Sequence, residues 1–524
     1  ILEEVSWTVE HSMEDFHSTN HNSEQGKSHG SAEVALAGPS YNVFAEPLES
    51  PLHGSRSVIN DPSDQVASPF GWHDTDGIPG AESTLTIGNN VDAYEDRNGA
   101  NIPGFRPDGG PSLDFNFPLD FSMAPQSYES AAITNLFYWN NLCHDVMYQY
   151  GFDEASGNFQ VNNYGKGGIG GDDVRAEAQD GSGTNNANFF TPPDGSRPRM
   201  QMYLYNKFNA EVRVNVPASI ASVFNAFKPA SFGPDPFGPI TGDLVIVDDG
   251  VGAITDACEP FINGAALAGN IALIDRGGCT FVSKILAAQN AGAIAVIVCN
   301  NRPGNPFGMG GTDIGITIPS LMISQSDCNL IKNEMALNNT VNVTLKSLPS
   351  TFNDSNFDNG IIVHEYAHGL SNRLTGGPAS TGCLRNSEQM GEGWSDWYGL
   401  MLTMKAGDIG STARGIGTFV LNQPTTGRGI REYPYSTDLG TDPRTYDHIK
   451  STGASPHALG SVWAAILWEV TWALTDAYGF DADLHNGNGG NNIALDLVTE
   501  GMKIQPCQPG FIDGRDAILM ADQM

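Results

Sequence analysis

Residues 361–370 read IIVHEYAHGL and hold two of the chain's 12 histidines, four positions apart, with a glutamate directly after the first. Asp358 or Asn359 can cap a helix running through this stretch, and Gly376-Gly377 can stop it. Residues four apart on a helix lie one turn above each other, so the imidazoles of His364 and His368 face one point. Glu365 sits about 100° further round the axis, too far to ligate with them but within reach of a metal-bound water. The H-E-x-x-H pattern therefore supplies two ligands and one base. The plain alternative is an ordinary helix carrying two surface histidines, and a third ligand decides between the two readings.

The next helix offers that ligand. RNSEQMGEGWSDWYGLMLTMKAGD (385–408) opens with an Asn-x-x-Gln capping pattern at Asn386 and Gln389 and predicts an amphipathic helix over 387–405. Glu388, Glu392 and Asp396 are spaced four apart and share one face. A catalytic zinc takes two histidines, one carboxylate and a water, with a second carboxylate to hold an imidazole N–H. Glu392 as ligand and Asp396 as orienter fill both roles one turn apart. Glu388 is the other candidate ligand, but it leaves Asp396 two turns away.

Several segments now combine. HEYAHGLSNRLTGG (364–377) and MGEGWSDW (390–397) occur with FYWNNLCHDVMYQYGFDEASGNFQVNNYG (137–165), AQDGSGTNNANFFTPPDGSRPRMQMYL (178–204), REYPYSTD (431–438) and SPHALGSVWAAILWEV (455–470). Together they resemble the fungalysin family of secreted zinc metalloendopeptidases, relatives of thermolysin by architecture, over about 40–206 and 351–524. The resemblance implies an α+β, thermolysin-like two-lobed metalloprotease: a β-rich N-terminal lobe over 36–206 and a helical zinc-binding C-terminal lobe over 351–524. It also implies one catalytic Zn²⁺, with the glutamate of G-E-G-W-S-D as third ligand, which falls on Glu392. Substrates would be proteins and peptides, cut beside an apolar residue.

The block 207–350 departs from that pattern. GDLVIVDDG, GNIALIDRG, AIAVIVCNN and IPSLMIS are β-rich apolar runs, and a helical TFVSKILAAQNAG lies between the second and third. The block resembles a protease-associated (PA) domain, an α/β module inserted where ordinary fungalysins run almost directly from MQMYLY to DNGIIVHE. Such a module would gate the cleft, hold protein substrate or merely act as a spacer. Of the seven cysteines, Cys258, Cys279, Cys299 and Cys328 cluster here and most simply pair as 258–279 and 299–328. Cys383 and Cys507 could form a third bridge, leaving Cys143 over. Disulfides imply an oxidising compartment, hence secretion. The polar residues 1–35 read as a mobile arm or the remnant of a zymogen's pro-segment.

Supporting residues follow from the reaction. Glu365 would accept the water proton and return it to the departing amine. The oxyanion needs a second electrophile, and His457 is the candidate. Ser455 can cap and Pro456 open its helix, placing His457 in the first turn, where the dipole favours neutral imidazole. Thermolysin-like enzymes use such a histidine, which supports this role by resemblance. Arg431, Tyr433 and Tyr435 could line the cleft, and NNANF (185–189) resembles the edge strand that receives the peptide through Ala187 and Asn188. His144 beside Asp145 reads as a core histidine. DAYEDRNG (92–99) is acidic enough to bind Ca²⁺ but lacks EF-hand spacing, and a solvated loop is the simpler reading.

Composition excludes some partners. The 524 residues carry 26 Lys plus Arg against 60 Asp plus Glu, a net charge of −34, which repels nucleic acid and anionic membranes. The most apolar stretches are too short to span a bilayer or carry a glutamate. A monomer is expected. The sequence begins at Ile1 without signal peptide or initiator methionine, as a processed product would. Two rival functions are a zinc aminopeptidase, which needs a second metal-ligand set that is not visible, and a silent adhesin with a structural zinc, for which Glu365 would be superfluous.

Overall fold

Frequent Gly, Asn, Asp and Pro cut the first part of the chain into short strands around a single long helix. The computed structural model describes residues 38–524 apart from 208–209, 225–226, 235–236, 303–305, 348–350 and 454, so the arm expected over 1–35 lies outside the described residues. The chain first forms β1 (Ser40–Val43), β2 (Ser57–Asn60), β3 (Val91–Glu95), β4 (Asp114–Phe115), α1 (Glu129–Gln149), β5 (Val174–Thr184), β6 (Ala187–Phe190) and β7 (Arg199–Lys207). Next come β8 (Ala210–Val216), β9 (Val223–Phe224), β10 (Phe227–Pro229), β11 (Phe237–Ile246), β12 (Ile271–Asp275), α2 (Phe281–Asn290), β13 (Ala295–Cys299), β14 (Ser320–Ile323), α3 (Gln325–Ala336) and β15 (Asn342–Ser347). The last part holds β16 (Thr351–Asp354), α4 (Asn359–Leu374), α5 (Gly391–Met401), α6 (Pro456–Tyr478), α7 (Gly490–Ile504) and α8 (Phe511–Ala521).

The first and last parts share one core. β3, β5 and β7 run parallel, with β16 and β6 antiparallel to β7. Helix α1 lies against this sheet and is buried from Ala131 to Met147 on all sides, which is why its pattern is only weakly one-sided. Its buried Asn135 is satisfied across the core: it donates to the Asn356 carbonyl at 2.8 Å and accepts from the Phe44 N–H at 3.0 Å. The same apolar cluster takes in Phe137, Trp139, Tyr366, Trp394, Trp397, Trp463 and Trp468. Helix α6 is long and apolar enough by composition to cross a membrane, yet Val462, Trp463, Leu467 and Trp468 are buried in this core.

Residues 210–347 build a separate layer system. Their eight-stranded sheet has the order β10-β14-β13-β12-β11-β15-β8-β9, with β11 to β14 parallel. Ile285 and Ala288 of α2 pack in one apolar cluster with Ala272, Ile274 and Val296, while Cys328 and Ile331 of α3 pack in another with Ile271, Leu273 and Ile297. Alternate strand residues face opposite sides, so the two helices cover opposite faces of the sheet. Neither cluster shares a residue with the core of the rest. Thr351 of β16 pairs with Lys207 of β7, so the chain leaves and re-enters the other sheet at adjacent positions. The strand β16 also means that the N-terminal sheet draws its edge from beyond residue 350.

One helix differs from its expected span. The stretch 387–405 is helical only as α5, which begins after Met390 without a side-chain cap. The reason is tertiary. Asn386 donates to the Pro509 carbonyl at 2.8 Å and Glu388 accepts the Phe511 N–H at 2.9 Å, so 386–388 dock on the start of α8 instead of continuing α5. At the other end the Thr403 hydroxyl bonds back to the Gly399 carbonyl at 2.7 Å, and the chain leaves the helix.

Disulfides join Cys258–Cys279, Cys299–Cys328 and Cys383–Cys507, the pairing expected from the sequence, and Cys143 is free and buried on α1. Burial pushes the Cys143 thiol well above its ordinary range, which makes it unreactive. A thiol reagent should therefore find no reactive group in the native chain and one per chain in guanidinium. Three per denatured chain would mean that one of the bridges does not form.

Candidate active site

Helix α4 starts on buried Asp358, whose carboxylate accepts the Ile361 N–H at 3.3 Å. One turn in, His364 and Glu365 are both 5% exposed, and the next turn brings His368. The two imidazole Nε2 atoms lie 3.1 Å apart with their rings nearly perpendicular. Glu392, in the first turn of α5, places Oε2 at 3.4 Å from His364 Nε2 and Oε1 at 3.6 Å from His368 Nε2. Bonds of about 2.05 Å at tetrahedral angles put ligand atoms ~3.3 Å apart. The three separations match that geometry, so the donor set fits a tetrahedral divalent metal. Asp396, one turn beyond Glu392, sits 2.8 Å from His364 Nδ1. Glu388, the other candidate ligand, faces α8 instead.

Glu392 reaches this position through a close helix crossing. A Cβ on Gly460 of α6 would lie 2.5 Å from the Glu392 Cβ, and one on Gly393 would lie 2.3 Å from the Gly460 carbonyl oxygen. Only glycine at both positions lets the backbones of α5 and α6 touch. That contact also brings the first turn of α6 over the site, where His457 Nε2 is 3.5 Å from Glu392 Oε1 while its side chain stays 62% exposed.

Beneath the carboxylates lies a buried cation. Arg431 donates to both Asp396 oxygens at 2.6 and 2.8 Å and to Glu392 Oε2 at 3.1 Å. The Tyr435 hydroxyl also donates to Asp396, and the Arg444 guanidinium covers its ring at 4.4 Å. Tyr435 is wholly buried and does not line the cleft. Although burial opposes ionisation, Arg431 and the histidines hold Glu392 and Asp396 well below the usual carboxylate range. Against the same burial, Asp396 and Glu392 raise His364 to about 10, whereas burial pushes His368 down to about 4. Glu365 has no direct cation and is pushed by burial up to about 7.

A cavity of about 680 Å³ opens beside this group, with Arg431, Tyr433 and His457 in its wall. Asn185 and Asn186 also line it, one step before the expected contacts. Ala187 is buried against β7, and the Asn188 amide donates to the Tyr203 hydroxyl at 2.8 Å. Sequence reading missed Tyr205, Arg444 and His448, which also line the cavity, because no local spacing links them to the α4 histidines. His144 stays in the core, bonded to Asp145 at 2.8 Å and Asn158 at 3.2 Å. In the acidic stretch 92–99, Asp92 is held by Arg106 at 2.6 Å, so it is not a free solvated loop.

A model of the fungalysin metallopeptidase family (M36) matches residues 40–524. The chain is 33% identical over 500 residues to extracellular metalloproteinase 2 of Trichophyton rubrum, covering 93% of this chain and 56% of that protein. It is likewise 33% identical over 498 residues to extracellular metalloproteinase mep of Aspergillus fumigatus, covering 93% and 55%. The chain thus spans about half the length of the curated relatives it matches. Among solved structures, the aminopeptidase from Aneurinibacillus sp. strain AM-1 aligns with 32% of this chain and 35% of its own, at 21% identity and a TM-score of 0.22, too low to bear on the fold.

The geometry makes Glu392 and Asp396 separable by experiment. Glu392→Ala should lose the metal, read as metal per chain by atomic absorption, with circular dichroism unchanged. Asp396→Asn should retain it with affinity weakened about 10–100-fold. Full metal content in the Glu392 variant would remove it from the ligand set.

Proposed function

Because the chain belongs to the fungalysin metallopeptidase family, we propose that it is a secreted zinc endopeptidase that cuts internal bonds of proteins and peptides. His364, His368 and Glu392 would hold one zinc ion. The observation that carries this reading is the convergence of their three ligand atoms at 3.1, 3.4 and 3.6 Å with a buried glutamate beside them. Zinc, when bound, supplies Lewis acidity and a water acidified toward neutrality.

The chain's own groups do the rest. Glu365 takes a proton from the attacking water and hands it to the departing amine; a carboxyl raised by burial suits both steps. His457, exposed at the opening turn of α6, donates a hydrogen bond to the developing oxyanion. Asp396 positions His364, and Arg431 with Tyr435 holds Asp396 in place. β6 pairs with β7 along one edge, and an extended substrate would add along its other edge, with Asn186 to Asn188 and Tyr433 flanking it.

A thermolysin-like arrangement follows, with the cavity between a β-rich lobe and a helical lobe. The block 207–350 is read as a PA domain inserted at the β7–β16 pair. Its own apolar clusters and adjacent entry and exit support that reading. It would govern which proteins reach the cleft without taking part in the chemistry. Three disulfides and relatives named extracellular support secretion.

Glu365→Gln should lower casein hydrolysis by about 10²–10⁴-fold while zinc stays stoichiometric; turnover near the parent level would refute the base. The base works only when deprotonated, so kcat/KM should fall on the acid side through one ionisation above the ordinary glutamate value of about 4.3. An acid limb at or below that value would mean that the base is solvated.

A further inference from the structure

A second convergence of carboxylates lies in the loop between β2 and β3, away from the residues of the proposed mechanism. The loop reads HDTDGIPGAES (73–83), and Asp74, Asp76 and Glu82 each bring one oxygen within 4.8 Å of the others. Acidic loops are common without a ligand, but Asp74 is fully buried and its Oδ2 has no hydrogen-bond donor. Its Oδ1 accepts the Gly77 N–H at 2.9 Å and the Tyr164 hydroxyl at 3.1 Å. Glu82 folds back across the loop and accepts the Thr75 N–H at 2.5 Å and its hydroxyl at 3.2 Å. Burial and the charges of Glu82 and Asp76 raise the Asp74 carboxyl above its ordinary range.

Two other acidic clusters differ in the charges that the protein sets beside them. In Asp96, Glu177 and Asp180, Arg199 lies 3.7 Å from Glu177, Gln201 donates to Asp180 at 2.6 Å, and Asp96 accepts two backbone N–H groups. In Asp249, Asp256 and Glu259, Asp249 accepts the Cys258 N–H at 3.1 Å and Lys284 bonds the Asp256 carbonyl. Each of those clusters has a basic side chain of the protein beside it, although Glu177 Oε2 also lacks a hydrogen-bond donor. Around Asp74, Asp76 and Glu82 no basic side chain makes an ion pair among the described residues, and the buried Asp74 oxygen is left without a partner. A buried carboxylate with one oxygen lacking a donor, beside two other carboxylates, is a costly arrangement unless a cation answers it.

The donors are all oxygen, which selects a hard cation. They come from a loop that turns at Gly77 with φ +81°, and calcium accepts such irregular geometry, whereas magnesium demands a near-ideal octahedron. We propose that Asp74, Asp76 and Glu82 form a calcium site that clamps the 73–83 loop against the 162–164 segment. Tyr164 already reaches Asp74, and the Asn162 amide donates to the Thr75 carbonyl at 3.4 Å, so an ion at this point would lock both chains.

The test uses the whole chain, dialysed into calcium-free buffer with its zinc content verified. Calorimetric titration with Ca²⁺ should show one ion per chain, with a dissociation constant of roughly 10⁻⁴–10⁻³ M, as for extracellular sites, and a rise in Tm. Asp76 and Glu82 are exposed, so Asp76→Asn and Glu82→Gln should leave the fold intact while weakening calcium at least about 10-fold and abolishing most of the Tm rise. Asp180→Asn, in the cluster with Asp96 and Glu177, should change neither. No saturable binding up to 10 mM, binding untouched by both variants, or tighter binding of Mg²⁺ than of Ca²⁺ would each overturn the assignment. None of these readouts depends on peptide hydrolysis, so failure here leaves the catalytic proposal standing.

Discussion

The site depends on one backbone contact, the crossing of α5 and α6 at Gly393 and Gly460. A methyl group at either position would meet the other helix at 2.5 Å or less. Because the helices touch there, Glu392 leaves α5 pointing at the two α4 imidazoles while the first turn of α6 lies over it. The carboxylate between the histidines and the exposed His457 above it are thus consequences of the same missing side chains. Close packing turns a steric allowance into a placement precise enough for metal coordination.

A second constraint acts through charge. Glu392 and Asp396 stay ionised within a mostly apolar core because Arg431 is buried with them and bonds both. Taking such groups out of water is unfavourable unless their hydrogen bonds are made, and Tyr435 completes those of Asp396. The arrangement leaves Glu365 as the carboxylate of the group without a guanidinium of its own, and burial, aided by the charges of Glu392 and Asp396, pushes it up. Two classes of carboxylate therefore occur within two helical turns. Those paired with Arg431 are held as anions, and the unpaired one is able to exchange a proton near neutral pH.

The block from 210 to 347 packs on its own apolar clusters, apart from the core that holds the candidate site. Its ends meet at a cross-strand pair of β7 and β16, positions that a tight turn could join. Its apolar clusters are its own, and the catalytic candidates all come from α4, α5, α6 and the segment between α5 and α6. The block and the candidate site therefore share no apolar cluster.

What the sequence determined by itself was local. The turn of an α-helix puts His364 above His368 and Glu392 above the level of Asp396, and those spacings hold wherever the helices go. Cysteine clustering likewise announced the short-range bridges, because residues 21 and 29 apart on adjoining elements meet easily. The limit of α5 at Met390 was not legible, since residues 386–388 are drawn away by α8, more than a hundred positions along the chain. Nor was Arg431 readable as the counter-ion of Asp396, or Tyr435 as a buried donor, because a string of residues does not say which side chain a loop turns inward. Asp74 carries the same lesson: its neighbours in the chain were in plain view, but only burial reveals an oxygen left without a donor. Hydrogen-bond satisfaction, desolvation and helix contact depend on distances in space, and those were decided by the tertiary structure.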